Sequence, residues 1–493
     1  IIETLLNGEC VTLECKRAKS EVPKSVWETY SAFANTIGGV ILLGIEENRK
    51  ESDKKKRFQI IGVDDAQKIV NDFWNTINSD KVNENILASS NVETVEINGV
   101  QIVCIHVPQA DWRIKPIYLN GNVYKGTYRR NHEGDYHCTE RQVRAMIRDS
   151  FEDGNDGMLL EHYDMNDIDL DTLHRYRTLF QFRNDGHVWN EADDKTFLKN
   201  LGGYIIDRAT GKEGLTMAGL MMFGKGLSVQ ERFANFRMDY LDFCNLIGDE
   251  RYSDRLTYDG RWENNLYQFF SRVIPKVTAD LPRPFHMEGI QRVDDTPQHK
   301  AVREAFTNAI IHSDLLMDAG ILRVEKHDDR LCFRNPGLLK LPVEMIYEGG
   351  NSKARNPRIQ NMLRMVGYGE NVGSGFPTII SAWKEAHWGE PELKNKFEID
   401  EVELVLPIPV RGANDRVNDS RNDRVNDSRN DRINSSMMVT LTIVRSNPGI
   451  QRKGISNISG KSISTIDRHL AILVKEGLIE HRDSDKTGGY YAK

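Results

Sequence analysis

Three polar residues recur at intervals of four in the segment PQHKAVREAFTNAIIHSD, residues 297–314. Glu304, Asn308 and His312 are one helical turn apart, with apolar residues between them. Because four residues turn a helix by about 400°, the three side chains lie along one face. A carboxylate and an amide one turn apart suit a water molecule and Mg²⁺, which prefers oxygen ligands and keeps several waters. A solvated helix face has the same spacing, so both interpretations stay open here.

Two glycine turns follow this helix. Two predicted strands lead to Asn335-Pro336-Gly337, and GYGENVGSGFPTII, which carries Gly373 and Gly375, precedes a further apolar helix. Glycine lets backbone N–H groups approach phosphate oxygens, and the start of a helix adds a positive dipole end. A polar helix face and two glycine turns in this order indicate a phosphate-binding site.

This order resembles the histidine-kinase/gyrase/Hsp90-type (GHKL) ATPase domain, in the divergent form found in bacterial transcriptional regulators. The resemblance implies ATP and Mg²⁺ as cofactors, with Glu304 as the catalytic residue that activates water and Asn308 as the metal ligand. It implies cofactor-binding roles for Asn308, Asn335, Gly337, Lys353, Arg355, Gly373 and Gly375. The family has an aspartate where this chain has Asn335, which is uncharged, so adenine specificity and hydrolysis stay open.

Lys353 and Arg355 lie in a polar loop, GGNSKARNP, between the two glycine turns. Its position corresponds to the mobile lid over the nucleotide in the related ATPases, and both cations suit a γ-phosphate. The alternative is an ordinary loop that caps the next helix. For His312 we favour a buried, hydrogen-bonded residue over a proton shuttle.

Composition sets broad limits on the fold and the compartment. A chain of 493 residues is long enough for three or four domains of ~100–200 residues. No apolar run reaches the ~18 residues of a membrane helix, and we recognise no signal peptide, although the chain starts at Ile1. The six cysteines show no zinc-binding spacing, which favours reduced thiols and a cytoplasmic protein.

Residues 1–150 begin with glutamates around a short strand. A helix at 24–37, the run Asn-x-x-Gly-Gly, a strand at 40–45 and a hairpin at Asn98-Gly99 follow. This pattern resembles the Schlafen/AlbA-like domain, which implies nucleic-acid binding. Some such domains are RNases that depend on carboxylates, and the matching positions are Glu9, Glu14, Glu46 and Glu47. These glutamates would make a metal-dependent nuclease if they converge, whereas Glu14 and Lys16 would otherwise form an ion pair.

Basic residues of this domain suit nucleic acid. We predict a strand at 123–130 that carries Lys125, Arg129 and Arg130 beside two tyrosines, a combination that fits phosphates and stacked bases. The run Lys54-Lys55-Lys56-Arg57 has two interpretations, a phosphate contact or a solvated loop, of which the loop is favoured.

The remainder of the chain divides by composition. Residues 151–280 are predicted as a mostly helical connector that opens with the linker EDGNDG, and residues 281–410 as the ATPase-like domain. Residues 411–436 form a low-complexity linker, in which RVNDSRND occurs twice from Arg416 to Asp431 and a third copy begins at Arg432. The segment has almost no apolar residue, so we predict a disordered tether.

Residues 437–493 carry nine Lys and Arg against five Asp and Glu, a charge of +4 that leaves −11 for the rest of the chain. Two helices, a turn, a long helix and two strands in this order resemble a winged helix, whose second motif helix enters the major groove. Protein contacts alone are the alternative use of such a fold. The candidate DNA-binding residues are Lys461, Ser462, Ser464, Thr465, Arg468, Arg482 and Lys486.

The sequence thus predicts an α+β multidomain protein with a Schlafen/AlbA-like α/β domain, a helical connector, an ATPase-type α/β sandwich and a C-terminal winged helix-turn-helix. The favoured function is a bacterial transcriptional regulator that binds double-stranded DNA as a homodimer, tuned by a nucleotide and without a membrane partner. The alternatives are a metal-dependent nuclease and a nucleotide-sensing scaffold that never hydrolyses.

Overall fold

The computed structural model divides the chain into two compact units, Ile1–Pro409 and Val410–Lys493. It describes all residues except 1–9, 49–50, 52–56, 152–153, 247, 283–286, 289–290, 293–294, 351–352, 370–374, 411–439, 442, 446, 460–462, 476, 483–488 and 493, and the side chains of 287–288, 291–292, 457–459, 464–465, 468 and 475. The architecture is mixed α+β. None of the helices in these described stretches combines the length and the apolar character that crossing a bilayer requires.

The N-terminal part is built on a four-stranded sheet. Its strands run in the order Leu13–Lys16, Gly39–Leu43, Val100–Val107 and Val92–Ile97. The first two are parallel, so they need a crossover, which the helix Ser25–Asn35 provides. The predicted hairpin is confirmed, and its turn residues Asn98 and Gly99 both have positive φ. The smaller elements are Ile45–Glu47, Phe58–Ile60, Ala66–Ile77, Tyr128–Asn131, Gly134–His137 and Glu140–Asp149.

The strand predicted at 123–130 is wrong in its first half. Asn122 instead starts a turn, in which its side chain accepts from the N–H of Lys125 and its carbonyl accepts from the N–H of Gly126 at 2.7 Å. A Cβ at Gly126 would lie 2.2 Å from the carbonyl oxygen of Leu119, so only glycine fits this turn. The strand begins at Tyr128.

A six-stranded sheet organises the rest of the first unit. Its strands run in the order Asp254–Thr257, Arg237–Asp242, Ile321–Lys326, Arg330–Pro336, Glu401–Pro407 and Glu392–Lys396. One hydrophobic core extends from Leu160 to Leu406. The segments predicted separately as 151–280 and 281–410 therefore share one sheet and one core.

The described residues of this part also form helices. They are Leu170–Arg183, Asp194–Asn200, Met217–Phe223, Gly226–Arg232, Leu266–Thr278, Pro297–Ile311, Val343–Glu348, Pro357–Met365 and Gly375–Glu385. Two short hairpins pair Tyr204–Ile206 with Glu213–Leu215 and Met287–Glu288 with Gln291–Arg292. The predicted linker is packed at Asp156, which is fully buried and caps the helix Pro357–Met365 by accepting from two of its N–H groups.

The helix Pro297–Ile311, hereafter the site helix, has clear local causes. Thr296 is its N-cap and accepts from the N–H of His299, and Pro297 occupies the first helical position. Val302, Phe306 and Ile310 are fully buried, so this face of the helix packs into the core.

The second unit contains the helices Arg452–Ser459 and Ile463–Lys475 and the antiparallel strands Ile479–Arg482 and Gly489–Ala492. Of the predicted two helices, turn, long helix and two strands, the described elements are the second helix, the long helix and the two strands. A separate small core holds it together, formed by Leu441, Val444, Ile455, Ile466, Leu470, Leu473 and Ile479. The repeated segment lies outside the described residues.

Candidate functional site

The polar face of the site helix borders a cavity. Glu304, Asn308 and His312 all line it, which confirms that their spacing places them on one face. The Asn308 amide donates to Glu304 Oε1 at 3.2 Å, and both residues are partly exposed. A carboxylate and an amide therefore lie side by side at the cavity. Both carry oxygen atoms, which are the ligands that a hydrated Mg²⁺ prefers.

The cavity, hereafter the helix cavity, has a volume of about 100 Å³ and mixed walls. Its apolar lining comes from Ala305, Ala309, Phe333, Leu339, Leu341, Ile346, Phe376, Leu393, Val402 and Leu404, and its polar lining from Glu304, Asn308, His312, Asn335, Lys340, Lys353 and Gln360, with Gly375. Small-molecule sites usually have ~300–1,000 Å³. This volume holds a few water molecules, so a nucleotide would have to widen the cavity.

Gly375 lies against the two polar residues of the site helix. A Cβ on Gly375 would lie 2.2 Å from Glu304 Oε1 and 3.1 Å from Asn308 Nδ2. Glycine at this helix start therefore permits the close approach of the two polar side chains, and its φ is not unusual. Gly373, the other predicted phosphate-binding glycine, lies outside the described residues.

Asn335 lines the helix cavity, as predicted, and is only 4% exposed. Its Nδ2 is buried without a hydrogen-bond partner among the described residues. Leaving a buried amide donor unpaired costs free energy of ~1–3 kcal/mol. A ligand that accepts a hydrogen bond would relieve it.

Gly337 does not line the helix cavity. Its N–H donates to the carbonyl of Asp400 at 2.7 Å, and its φ of +90° is in the glycine region. The nucleotide-binding role predicted for Gly337 is not supported, because the strand end turns away toward the N-terminal domain.

The two cations of the predicted lid, Lys353 and Arg355, lie in different surroundings. Lys353 lines the helix cavity. Arg355, in contrast, is 3% exposed and its guanidinium donates to both carboxylate oxygens of Asp149, at 2.9 and 2.7 Å. It also donates to the carbonyls of His312 and Leu338. The γ-phosphate role of Arg355 is therefore wrong in this structure, since every side of a buried guanidinium is already satisfied.

His312 lines the helix cavity beside Asn308. Burial, together with the nearby cations Arg355 and Lys340, lowers the pKa of its imidazole to about 4. The ring is therefore neutral at pH 7 and can accept a hydrogen bond. No ring hydrogen bond of His312 exists among the described residues, so the predicted hydrogen-bonded role is not seen.

A second cluster of side chains of metal-binding type is chemically unsuitable for a metal ion. Glu325, His327 and Cys332 bring one potential ligand atom each within 4.8 Å of one another. However, Arg334 lies 3.4 Å and Arg323 3.8 Å from the same Glu325 carboxylate. A cation would meet two guanidinium groups there, and none of the three residues lines the helix cavity.

Three of the four predicted nuclease glutamates form ion pairs with cations. Glu14 lies 2.5 Å from Lys16, which confirms the ion pair, and 2.7 Å from Arg130. The other two pairs are Glu46 with Arg17 at 2.9 Å and Glu47 with Arg57 at 2.5 Å. In the part of the chain that is described, these carboxylates form no common metal site. Glu9 lies outside it.

The predicted basic strand does not face outward. Arg129 and Arg130 are buried, where Arg129 pairs with Asp400 at 2.6 Å and Arg130 with Asp135 at 3.0 Å. Their predicted nucleic-acid contacts are therefore wrong in this conformation, because buried guanidinium groups are retained with partners. Lys125 and Tyr124 are exposed and stay available for nucleic acid.

Only some of the candidate DNA-binding residues of the second unit lie within the described part of the chain. Lys461, Ser462 and Lys486 lie outside the described residues, as do the side chains of Ser464, Thr465 and Arg468. Arg482 is exposed on its strand, 2.6 Å from Glu480 and over the ring of Tyr491 at 4.7 Å.

Sequence reasoning missed a junction between the N-terminal domain and the ATPase-like domain. Three ion pairs cross it: Arg129 with Asp400, Arg148 with Asp314, and Arg355 with Asp149. It also missed Lys340, which lines the helix cavity. The only available signal was a single lysine inside the apolar run Leu-Leu-Lys-Leu.

Three family models match segments of the chain. Residues 9–139 match "Schlafen, AlbA_2", and residues 321–406 match "Putative ATP-dependent DNA helicase recG C-terminal". Residues 144–239 match a domain of unknown function, DUF8451. The chain therefore contains an AlbA_2-like domain and a RecG-like ATPase-type segment, and the site helix lies just before the matched part of the latter.

Two solved structures are similar to the chain. The crystal structure of the DIP2311 protein from Corynebacterium diphtheriae is 15% identical over 100% of this chain and 98% of that chain, with a TM-score of 0.38. The solution structure of the N-terminal domain of a "Putative ATP-dependent DNA Helicase RecG-related Protein" from Nitrosomonas europaea is 28% identical over 28% of this chain and 93% of that chain, with a TM-score of 0.22. No curated protein matches the chain.

Proposed function

We propose that this chain is a transcriptional regulator that binds double-stranded DNA, and that ATP with Mg²⁺ in the helix cavity tunes this binding. The observation that carries the proposal is the pair of Glu304 and Asn308, 3.2 Å apart and packed directly against Gly375. A carboxylate, an amide and a glycine helix start meet at one cavity, and the segment that follows is RecG-like.

The residues present fit a magnesium nucleotide at one end of the cavity. Asn308 would hold Mg²⁺, which neutralises phosphate charge, and Glu304 would orient the attacking water. Gly375 brings a helix start into close contact with both side chains, and Lys353 contributes a cation.

The base would occupy the end at Asn335. The side-chain amide of Asn335 can both donate and accept a hydrogen bond. In adenine, N1 accepts and the neighbouring amino group donates, so the two groups match. The buried Nδ2 of Asn335 has no hydrogen-bond partner among the described residues. A base that accepts from it would therefore gain a hydrogen bond from a donor that the fold already holds in place.

The nucleic-acid partner is supported by domain similarity and charge. Residues 9–139 match an AlbA_2 family, and the matched helicase family is named for a DNA enzyme. In the second unit, the order of two helices and a hairpin agrees with a winged helix, in which Ile463–Lys475 would enter the major groove. We propose a homodimer, since paired half-sites suit such helices.

Nucleotide binding is tested by thermal unfolding of the full chain with and without Mg²⁺-ATP. Saturating ligand is expected to stabilise the protein by ~2–4 kcal/mol. Asn308→Ala should abolish the shift, whereas Asn200→Ala, an exposed asparagine at another helix end, should leave it unchanged. No shift in the native chain, or an equal shift in Asn308→Ala, contradicts the proposed site.

DNA binding is tested by fluorescence anisotropy with a duplex library. Removal of residues 437–493 should abolish binding, and Mg²⁺-ATP should change the affinity of the full chain but not of Asn308→Ala. Retention of duplex binding without residues 437–493 would exclude the C-terminal unit as the DNA reader.

The nuclease alternative has less structural support, because Glu14 already contacts two cations. Magnesium-dependent cleavage of RNA or DNA that Glu14→Ala abolishes would nevertheless replace our proposal. Nucleotide binding without release of phosphate would indicate a sensor that does not hydrolyse ATP.

A further inference from the structure

A second cavity lies at the junction between the N-terminal domain and the ATPase-like domain. Its volume is about 460 Å³, within the ~300–1,000 Å³ range of small-molecule sites. The N-terminal side contributes Trp112, Lys115 and the helix Glu140–Asp149, and the other side contributes Asp314 and the segment Gly337–Lys340. This junction cavity is more than four times as large as the helix cavity.

The acidic residues around the junction cavity are mostly neutralised by arginines. Asp149 pairs with Arg355, Asp314 with Arg148, Asp400 with Arg129, and Glu140 with Arg144. The remaining acid, Asp318, is exposed at the rim. The carboxylates in the wall are therefore mostly engaged with arginines, and they act on the lysines only from a distance.

Two lysines in the wall lack a carboxylate partner. Within the described parts of the chain, no carboxylate oxygen lies within 4.0 Å of the ammonium of Lys115 or of Lys340. Among the described residues, Lys115 is half-buried and donates to the carbonyl of Asn35 at 3.3 Å, and Lys340 is 8% exposed. An ammonium group removed from water without a counter-charge is costly, so it either loses its proton or gains from binding an anion.

The titration of the two lysines agrees with a missing counter-charge. Burial, aided by the nearby Arg129 guanidinium and opposed by Asp111 and Asp149, lowers the pKa of Lys115 to about 7. Burial, aided by Arg355 and Lys353 and opposed by Asp149 and Asp314, lowers the pKa of Lys340 to about 8. An anion bound between them would raise both values toward the usual range of lysine.

Trp112 fixes the position of one of these lysines. The Lys340 ammonium lies 4.6 Å from the centre of the indole ring, and the Lys353 ammonium lies 5.2 Å from the same ring. Cation–π contacts of this kind hold an ammonium without neutralising it. Lys340 is thus held at the wall of the junction cavity, with no carboxylate of the described residues in ion-pair contact with it.

We propose that the junction cavity binds a small phosphorylated molecule, with Lys115 and Lys340 holding its phosphate. The cavity volume suits a mononucleotide or a short polyphosphate, and lysine ammonium groups bind phosphate as point charges. Leu339 and Lys340 line both the junction cavity and the helix cavity, so an anion at the junction contacts the wall shared by the two. The site does not depend on ATP binding at Asn308.

The test is calorimetric titration of the full chain with inorganic pyrophosphate and, separately, with AMP, both in EDTA so that no divalent cation is present. One saturable site is expected. Lys115→Gln and Lys340→Gln should each weaken it about tenfold or more, whereas Lys199→Gln, an exposed lysine outside both cavities, should have no effect. Preference for pyrophosphate or AMP distinguishes a polyphosphate from a nucleotide.

Asn308→Ala separates this site from the proposed nucleotide site, since it should leave pyrophosphate binding intact. Acetylation of Lys115 at pH 7, followed by mass spectrometry, gives a readout that needs no variant, and pyrophosphate should slow it about tenfold. The proposal is overturned if pyrophosphate shows no saturable binding, or if Asn308→Ala abolishes that binding. It is also overturned if Lys115→Gln binds pyrophosphate as the native chain does and pyrophosphate does not protect Lys115 from acetylation.

Discussion

The ion pair between Arg355 and Asp149 is expected to be a main stabilising contact between the N-terminal domain and the ATPase-like domain. The Arg355 guanidinium is 3% exposed and the Asp149 carboxylate 19% exposed, with 2.7 Å between Nη2 and Oδ2. Arg355→Leu leaves this carboxylate and two backbone carbonyls without their donor. Removing one partner of a buried pair costs ~3–5 kcal/mol, and we expect a loss in this range.

The assay is urea unfolding followed by tryptophan fluorescence, with Asp149→Asn and the double variant completing a mutant cycle. The double variant should recover ~1–3 kcal/mol of the summed losses, because neither charge is then left alone. Arg144→Leu is the matched control, since it breaks an exposed pair on the same helix, Arg144 with Glu140 at 2.6 Å, and should have no measurable effect.

The pH dependence supplies a second check on this pair. Burial raises the pKa of Asp149, but Arg355 and the other nearby cations outweigh it, so its pKa lies below the usual value. Its contribution to stability is therefore complete above pH ~4 and is lost as the pH falls through the lower, native pKa. If Arg355→Leu destabilises the protein no more than Arg144→Leu, the pair does not hold the junction and the reasoning is refuted.

Three further outcomes are expected. Gly375→Ala should abolish the thermal shift with Mg²⁺-ATP at little cost in stability, since its methyl group displaces the flexible Glu304 carboxylate from a distance of 2.2 Å. The native chain should lose on the order of 2 kcal/mol of unfolding free energy between pH 6.5 and pH 4, because His312 takes up a proton only on unfolding, and His312→Gln should remove this loss in urea titrations. Arg130→Leu should cost ~3–5 kcal/mol in the same assay, since it leaves Asp135 and Glu14 without their buried guanidinium partner.

Local patterns in the sequence predicted the helices and strands well. The site helix, the hairpin at Asn98-Gly99 and the C-terminal hairpin follow from side-chain period, capping residues and turn residues, all of which act within a few positions. The alignment of Glu304, Asn308 and His312 also follows from helical period alone. Gly375 was found because a glycine at a helix start is a local signal.

The sequence could not distinguish which cations stay at the surface. Lys125 and Arg129 are four residues apart and appeared equivalent, yet Lys125 is exposed and Arg129 is buried against Asp400, 271 positions further along the chain. Arg355 likewise meets Asp149 across 206 positions. The sequence alone determined the site helix and its polar face, because hydrogen bonding and side-chain period within a helix are local. Only the tertiary structure decided the junction, its ion pairs and its second cavity, because the partner of a buried charge is chosen by the packing of distant segments.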